Sequence, residues 1–135
     1  MVYAVIDTNI IVSSFITKSP SSATRRVINS MLSGKIKPLY NDEILAEYYD
    51  VLSRSKFHLN EVRINELLYF IKQNGIDSSR FPYDGEMPDE DDRVFYEVCL
   101  SKEDSFLVTG NLKHFPKEPQ VITAAEMMEI LDIEL

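Results

Sequence analysis

The chain has 135 residues, 44% of them apolar, and a formal net charge of −8. This apolar content suits one hydrophobic core, so we expect a single domain over residues 1–135. The acidic balance excludes a broad basic surface for nucleic acid, but metal ions held by carboxylates can still bring a polyanion to an acidic site.

The first predicted element is a buried strand at the start of the chain. The apolar run 2–6 ends at Asp7, the first charged residue. In parallel α/β sheets, ligands bind in the crevice outside the carboxyl ends of the strands. Asp7 is therefore a candidate site residue.

A helix and a short strand are predicted next. Apolar residues recur at helical spacing over 23–32, after a loop through Pro20, and Gly34 ends this helix. Residues 36–40 have the pattern of a strand, although Pro38 would place it at a sheet edge or at a strand start.

Two further helices are predicted over 41–52 and 60–75, and their apolar arcs favour packing as a hairpin. At about 100° per residue, Glu47 falls just outside the apolar arc, whereas Glu43 and Asp50 lie further toward solvent. Glu47 is thus the acid best placed to point into a neighbouring cleft. The alternative, which periodicity alone favours, is an ordinary glutamate at the boundary of the core.

A fourth helix is predicted to begin at Pro88, and it opens with the acidic run 89–92. Acids at a helix start complement its dipole, which explains the run without any site. Asp89 and Asp92 nevertheless share a helix face, and a helix start beside the carboxyl edge of the sheet would aim that face at Asp7. Both explanations stay open.

The chain closes with two predicted strands and a helix. The dense apolar run 105–109 is typical of a central parallel strand, residues 120–122 form a last strand, and 123–126 match a capping box that opens the terminal helix. This alternation predicts a three-layer α/β/α sandwich around a mainly parallel sheet of about four or five strands.

The strand that ends near Val108 continues into Thr109, Gly110 and Asn111, which form either another wall of the crevice or a plain turn. Four separate segments thus bring oxygen ligands to one sheet edge, as a site for Mg²⁺ or Mn²⁺ requires. Zinc has little support, because the single Cys99 is expected to be a buried apolar side chain and the two histidines lack a paired spacing.

Together, these segments resemble the PIN domain family, in particular the toxin components of type II toxin–antitoxin modules. The resemblance covers nearly the whole chain, and its segments stand in family order: 5–10, 43–57, 88–95 and 107–111. It implies a VapC-like, metal-dependent endoribonuclease on a parallel sheet flanked by helices.

The resemblance also implies roles for the candidate acids. The family's catalytic and metal-binding acids fall on Asp7, Glu47 and Asp92, with Asp89 as an auxiliary acid. The implied cofactor is one or two Mg²⁺ or Mn²⁺ ions. Asp7 and Asp92 are expected to bind the ion directly, whereas Glu47 is expected to bind through water or to position the nucleophile.

Neighbouring residues receive roles in the same way. Thr109 corresponds to a hydroxyl that steadies the first aspartate, and Asn9 to a polar neighbour of the site. Asn111 stands where many members carry a fourth aspartate, so as a neutral metal ligand it is expected to hold a second ion less tightly. Lys113 and His114 are candidates for substrate binding, and a solvated turn is the alternative for them.

Implied partners are an RNA substrate, an antitoxin protein and a second copy in a homodimer. We expect a cytoplasmic protein without membrane contact, because no run approaches the roughly 20 apolar residues of a membrane helix. Two alternatives remain. The first is a PIN scaffold that binds RNA or a protein without cutting, and it is consistent with Asn111 in place of an acid. A Mg-dependent phosphohydrolase of the haloacid dehalogenase type is more remote, because it needs an aspartate where Asn9 stands.

Overall fold

Five strands form one sheet in the computed structural model of the protein, which describes residues 1–133. In chain order they are β1 (Val2–Ile6), β2 (Ile36–Tyr40), β3 (Ile76–Asp77), β4 (Ser105–Val108) and β5 (Val121–Ile122). All neighbouring pairs are parallel, in the spatial order β3-β2-β1-β4-β5. The last two residues of the predicted domain, 134–135, lie outside the described residues.

Within the described residues, six α-helices cover the sheet: α1 (Thr8–Ile16), α2 (Ala23–Leu32), α3 (Asp42–Leu52), α4 (Glu61–Asn74), α5 (Arg93–Leu100) and α6 (Ala124–Ile133). Helix α2 packs on α1 and α6, α3 packs on α4 and α5, and α5 also lies against β1 and β4. The three-layer α/β/α sandwich predicted from the sequence is confirmed. Within residues 1–133, none of the helices has both the length and the apolar character of a membrane span.

The position of β1 in the middle of the sheet explains its composition. It pairs with β2 on one side and with β4 on the other, and Ala4, Val5 and Ile6 are buried. A strand covered on both faces needs apolar side chains at successive positions. Because the chain leaves β1 toward β2 while β4 lies on the opposite side, the carboxyl ends of β1 and β4 flank the switch point of the sheet.

The structure contains a helix, α1, where a loop was predicted after the first strand, so that prediction was wrong. Helix α1 follows β1 directly and buries Ile10 and Ile11, whose branching at Cβ lowers their helix propensity. Packing against α2 stabilises α1, and this tertiary contact is not part of intrinsic helix propensity. This helix places Thr8 and Asn9 in its first turn, next to Asp7.

Pro38 lies in β2, an interior strand, so its predicted position at a sheet edge or strand start was wrong. Pro38 pairs with Ala4 of β1, whereas β3 pairs only with the two following residues, Leu39 and Tyr40. The outer side of β2 therefore has no strand partner at Pro38 itself. Proline has no N–H to donate, so it is tolerated at this position as it is in an edge strand.

Several predicted local features are confirmed. Asn41 caps α3 through its side-chain oxygen, and Thr123 and Glu126 exchange the two hydrogen bonds of a capping box at α6. Cys99 is buried in α5.

The predicted start of the fourth helix at Pro88 was wrong. The acidic run begins with a 3₁₀ turn (Glu90–Asp92), so α5 starts later than predicted.

Candidate active site

Asp7 lies at the carboxyl end of β1, where its N–H donates to the carbonyl of Val108 at 2.9 Å. Its side chain is only 6% exposed. Oδ2 accepts a hydrogen bond of 2.7 Å from the hydroxyl of Thr109, which is fully buried at the end of β4. Burial raises the pKa of Asp7, and the bond from Thr109 opposes this rise.

The two strand ends are also joined through amide groups. The side-chain oxygen of Asn9 accepts the N–H of Gly110 at 3.2 Å, and the Thr109 hydroxyl accepts the N–H of Asn111 at 3.0 Å. The first bond ties the start of α1 to the turn after β4, and the second lies within that turn. They therefore fix the surroundings of the Asp7 carboxylate.

Glu47 reaches the site from α3. This helix is anchored by Tyr48, whose buried hydroxyl donates to the carbonyl of Ile6 at the end of β1. Glu47 is half-buried, and its Oε2 accepts a hydrogen bond of 2.5 Å from the hydroxyl of Thr8. Burial raises the pKa of Glu47, while the bond from Thr8 opposes this rise. Sequence reasoning missed Thr8, although its position directly after Asp7 was a signal.

Asp92 stands immediately before α5, and its side chain is 15% exposed. Its Oδ2 is buried and has no hydrogen-bond partner within residues 1–133. Nδ1 of His114 lies 3.3 Å from that oxygen but lacks hydrogen-bond geometry. Burial, together with the charges of Asp7 and Asp89, raises the pKa of Asp92 to about 6.

Asp89 both caps a turn and lines the cleft. Its Oδ1 accepts the N–H of Asp91 at 3.0 Å, which caps the 3₁₀ turn. Both residues also line the same cleft as Asp7. The two explanations considered for the acidic run are therefore compatible. Sequence reasoning did not single out Asp91.

One cleft of about 490 Å³ brings these side chains together outside the carboxyl ends of β1 and β4. Its acidic side consists of Asp7, Glu47, Asp89, Asp91 and Asp92. The same lining includes four apolar residues, Val12, Ile16, Val51 and Phe57, which we name the apolar wall. None of the four apolar residues was predicted as part of a site, because each fits the pattern of a helix face or a turn.

The remaining predicted residues lie in different places. Asn9 and His114 line the cleft, whereas Asn111 and Lys113 are absent from its lining within the described part of the chain. The amide nitrogen of Asn111 lies 2.9 Å from Nε2 of His114. With the amide donating, the ring proton resides on Nδ1, on the side of Asp92. Phe115, which follows His114, is buried.

Comparison with known families decides the classification. A family model of the PIN domain matches residues 3–113 of the chain. The chain belongs to the PIN domain family. PIN domains are generally nucleases, and the matched range includes every acid of the cleft. A search of curated proteins found no match.

PIN nucleases typically use divalent metal ions, and the donor set of this PIN domain fits such an ion. Every protein donor on the acidic side is an oxygen, which Mg²⁺ and Mn²⁺ prefer. The buried Oδ2 of Asp92, which forms no hydrogen bond with residues 1–133, is a position that a cation would satisfy. No three His, Cys, Asp or Glu side chains of those residues already stand around one ion position. Water ligands, which Mg²⁺ commonly retains, would therefore complete the coordination.

Proposed function

We propose that the protein is a metal-dependent endoribonuclease that cleaves RNA phosphodiester bonds. The observation that carries this proposal is the convergence of Asp7, Glu47 and Asp92, from three separate elements, in one cleft. Membership of a family that consists generally of nucleases supports the reaction class.

Roles for the acids follow from their surroundings. We assign ion binding to Asp7 and Asp92, because burial and mutual repulsion raise the pKa of Asp92 and a cation would relieve both effects. A bound Mg²⁺ or Mn²⁺ would supply positive charge that activates water and stabilises the departing oxygen. Glu47, held by Thr8, is assigned to orient the attacking water. His114, which lines the cleft, is assigned to substrate binding.

The test is cleavage of single-stranded RNA with Mn²⁺ by wild-type protein and by Asp7→Asn. We expect the substitution to lower the rate by about a hundredfold or more, because removing a catalytic acid or its metal costs at least that much. Circular dichroism checks that the variant is folded. A rate for Asp7→Asn equal to that of the wild type would refute the proposal.

The matched control is Asp104→Asn. Asp104 is an exposed carboxylate that directly precedes β4, at the opposite end of that strand from Thr109. This variant changes the net charge of the protein by the same amount as Asp7→Asn, and we expect wild-type activity. An equal loss in both variants would show that net charge, and not the cleft, controls the rate.

We further propose that the ribonuclease is the toxin of a toxin–antitoxin pair, bound by an antitoxin protein and assembled as a homodimer. Support for this part is the resemblance of the four segments to such toxins. Expression should arrest growth, and Asp92→Asn should abolish the arrest. Light scattering of the purified protein measures the dimer, and a monomer at all concentrations would contradict that part.

A second candidate is a PIN scaffold that binds RNA or a protein without cutting. The pairing of Asn111 with His114 favours it, because the amide nitrogen is engaged by the ring and Asn111 does not line the described part of the cleft. The same assay separates the two functions, since a scaffold would bind RNA and leave it intact at any Mn²⁺ concentration. A phosphohydrolase is the remote third candidate, and it would cleave small phosphomonoesters but not RNA.

A further inference from the structure

The apolar wall has no part in the proposed chemistry, although it lies directly beside the acids. Ile16, at the end of α1, is 52% exposed, and Phe57 is half-buried in the 3₁₀ turn Ser55–Phe57 after α3. Both side chains line the cleft. Exposed apolar surface next to charged groups is typical of a binding site for a ligand that has an apolar face, because binding removes both apolar surfaces from water.

The turn that carries Phe57 has a defined conformation. The N–H of Phe57 donates to the carbonyl of Arg54 at 3.1 Å, and the N–H of His58 donates to that of Ser55 at 3.1 Å. His58 ends the turn in the left-handed region, with φ of 52°. The ring is therefore presented to the cleft by a fixed backbone, which lowers the entropy cost of binding.

A cation accompanies the ring. Nζ of Lys56 lies 5.1 Å from the centroid of the Phe57 ring. An aromatic ring beside an ammonium group matches the two parts of a nucleotide, because the base contacts the ring and the phosphate pairs with the cation. The acids of the cleft repel a phosphate unless a cation is bound, whereas the four uncharged side chains of the apolar wall favour contact with a neutral base.

We propose that Phe57 and Ile16 bind the nucleobase next to the cleaved phosphodiester, and that Lys56 contacts the adjoining phosphate. This inference rests on the proposed ribonuclease function and gives that site a specificity-determining residue, Phe57. A base inside a duplex is covered by its stacked neighbours. The wall therefore accepts an unpaired base.

The experiment measures base contact separately from cleavage. A single-stranded hexaribonucleotide with one 2-aminopurine is mixed with the protein and Mg²⁺ in a stopped-flow fluorimeter, before turnover occurs. We expect the fluorescence to be quenched by wild-type protein. Phe57→Leu should weaken binding about tenfold and lose most of the quenching, as expected for one lost base–aromatic contact. The same oligonucleotide in a duplex should not be quenched.

Two other variants complete the design. Phe81→Leu is the matched control, because Phe81 is an aromatic residue that is 60% exposed and does not line this cleft. It should behave as the wild type does. Ile16→Ala is a second test at an exposed position, independent of whether Phe57→Leu folds, and should weaken binding several-fold. Unchanged quenching and affinity in both Phe57→Leu and Ile16→Ala would overturn the inference.

Failure of the nuclease proposal gives a different result. If quenching depends on Phe57 and the RNA stays intact with Mg²⁺ or Mn²⁺, the base subsite stands and the ribonuclease proposal falls. If the RNA is cut at the same rate by wild type, Phe57→Leu and Ile16→Ala, the ribonuclease proposal stands and the base subsite falls.

Discussion

At the residue scale, the hydroxyl of Thr109 is the neutral donor that orients Asp7 across a separation of 102 positions in the chain. A carboxylate buried beside other acids has few ways to remain ionised, and a donated hydrogen bond is one of them. Thr109 is fully buried, so water does not readily replace its hydroxyl. The hydroxyl should therefore matter for metal binding although it is not itself a proposed ligand.

Thr109→Val tests this role, because valine has nearly the same shape and no hydroxyl. We expect Mn²⁺ affinity and RNA cleavage to fall by about 10- to 100-fold, the usual effect of removing a group that orients a metal ligand. Calorimetry measures the affinity. Thr109→Ser, which keeps the donor to Asp7 and the acceptor for Asn111, should stay within a few-fold of the wild type. Equal values for Val and Ser would contradict the prediction.

At the element scale, two arginines fix the long connection between β3 and α5 against the helices. Arg80 donates to Glu97 of α5 at 2.7 Å and to Glu43 of α3 at 2.8 Å. Glu97 is buried and also accepts the N–H of Tyr83 at 2.8 Å, while Arg93 donates to the carbonyl of Tyr83. This network joins α3 and α5, the two helices beside the cleft, and holds the segment that leads into its acidic turn.

Arg80→Leu should lower the free energy of unfolding by about 2–3 kcal/mol, because the buried carboxylate of Glu97 would lose its ion pair. Urea denaturation measures the change. The control is Arg54→Leu, which removes an exposed pair with Asp50 and should change stability by less than about 0.5 kcal/mol. Equal losses in both variants would mean that the network does not anchor the segment.

The elements also show how far sequence could predict the site. The positions of Asp7 and Thr109 follow from strand ends, because a strand fixes where its carboxyl end lies. Helical period placed Glu47 just outside the apolar arc but favoured an ordinary boundary glutamate, and its role in the site came from the family resemblance. The contact between Thr8 and Glu47 joins residues 39 positions apart and depends on where α1 packs, which no local pattern contains. Asn111 could form a wall of the crevice or a plain turn. Its residue type does not determine which partner its side chain binds, and in the structure that partner is His114.

At the scale of the whole molecule, folding concentrates part of the net charge of −8 in one cleft. Burial raises the pKa values of Asp7, Glu47 and Asp92, so each of these acids binds protons more strongly in the folded state. Without a cation, the cleft therefore opposes folding at neutral pH. The acids therefore lower the free energy of unfolding at the same position where an ion is proposed to bind.

The sign of the pH dependence follows for Asp92, whose pKa of about 6 exceeds the ordinary 3.8. Between these two values the folded state holds more protons than the unfolded state, so the free energy of unfolding falls as pH rises and stays low above about 6. At pH 7 without metal, Asp92→Asn should therefore raise stability by about 1 kcal/mol, or Tm by about 3–5 °C, after allowance for solvent screening.

Thermal melts in EDTA from pH 4 to pH 8 measure this difference. It should shrink as the pH falls toward 4, because Asp92 is then protonated in the folded state and becomes increasingly protonated in the unfolded state. Saturating Mn²⁺ should raise the Tm of the wild type more than that of the variant. Asp104→Asn should leave Tm within about 1 °C at every pH. A lower Tm for Asp92→Asn than for the wild type at pH 7 without metal would contradict the prediction.

The pairing of β1 with β4 has a consequence for protein synthesis. Tyr3 pairs with Ser105 and Ile6 with Val108, so β1 leaves the ribosome about a hundred codons before this partner does. At roughly 5–20 residues per second, translation needs about 5–20 s to cover that distance. A nascent chain that stalls before Ser105 has its first aspartate but not the strand that completes the crevice. Whatever chemistry the crevice performs is thus withheld until β4 has been translated.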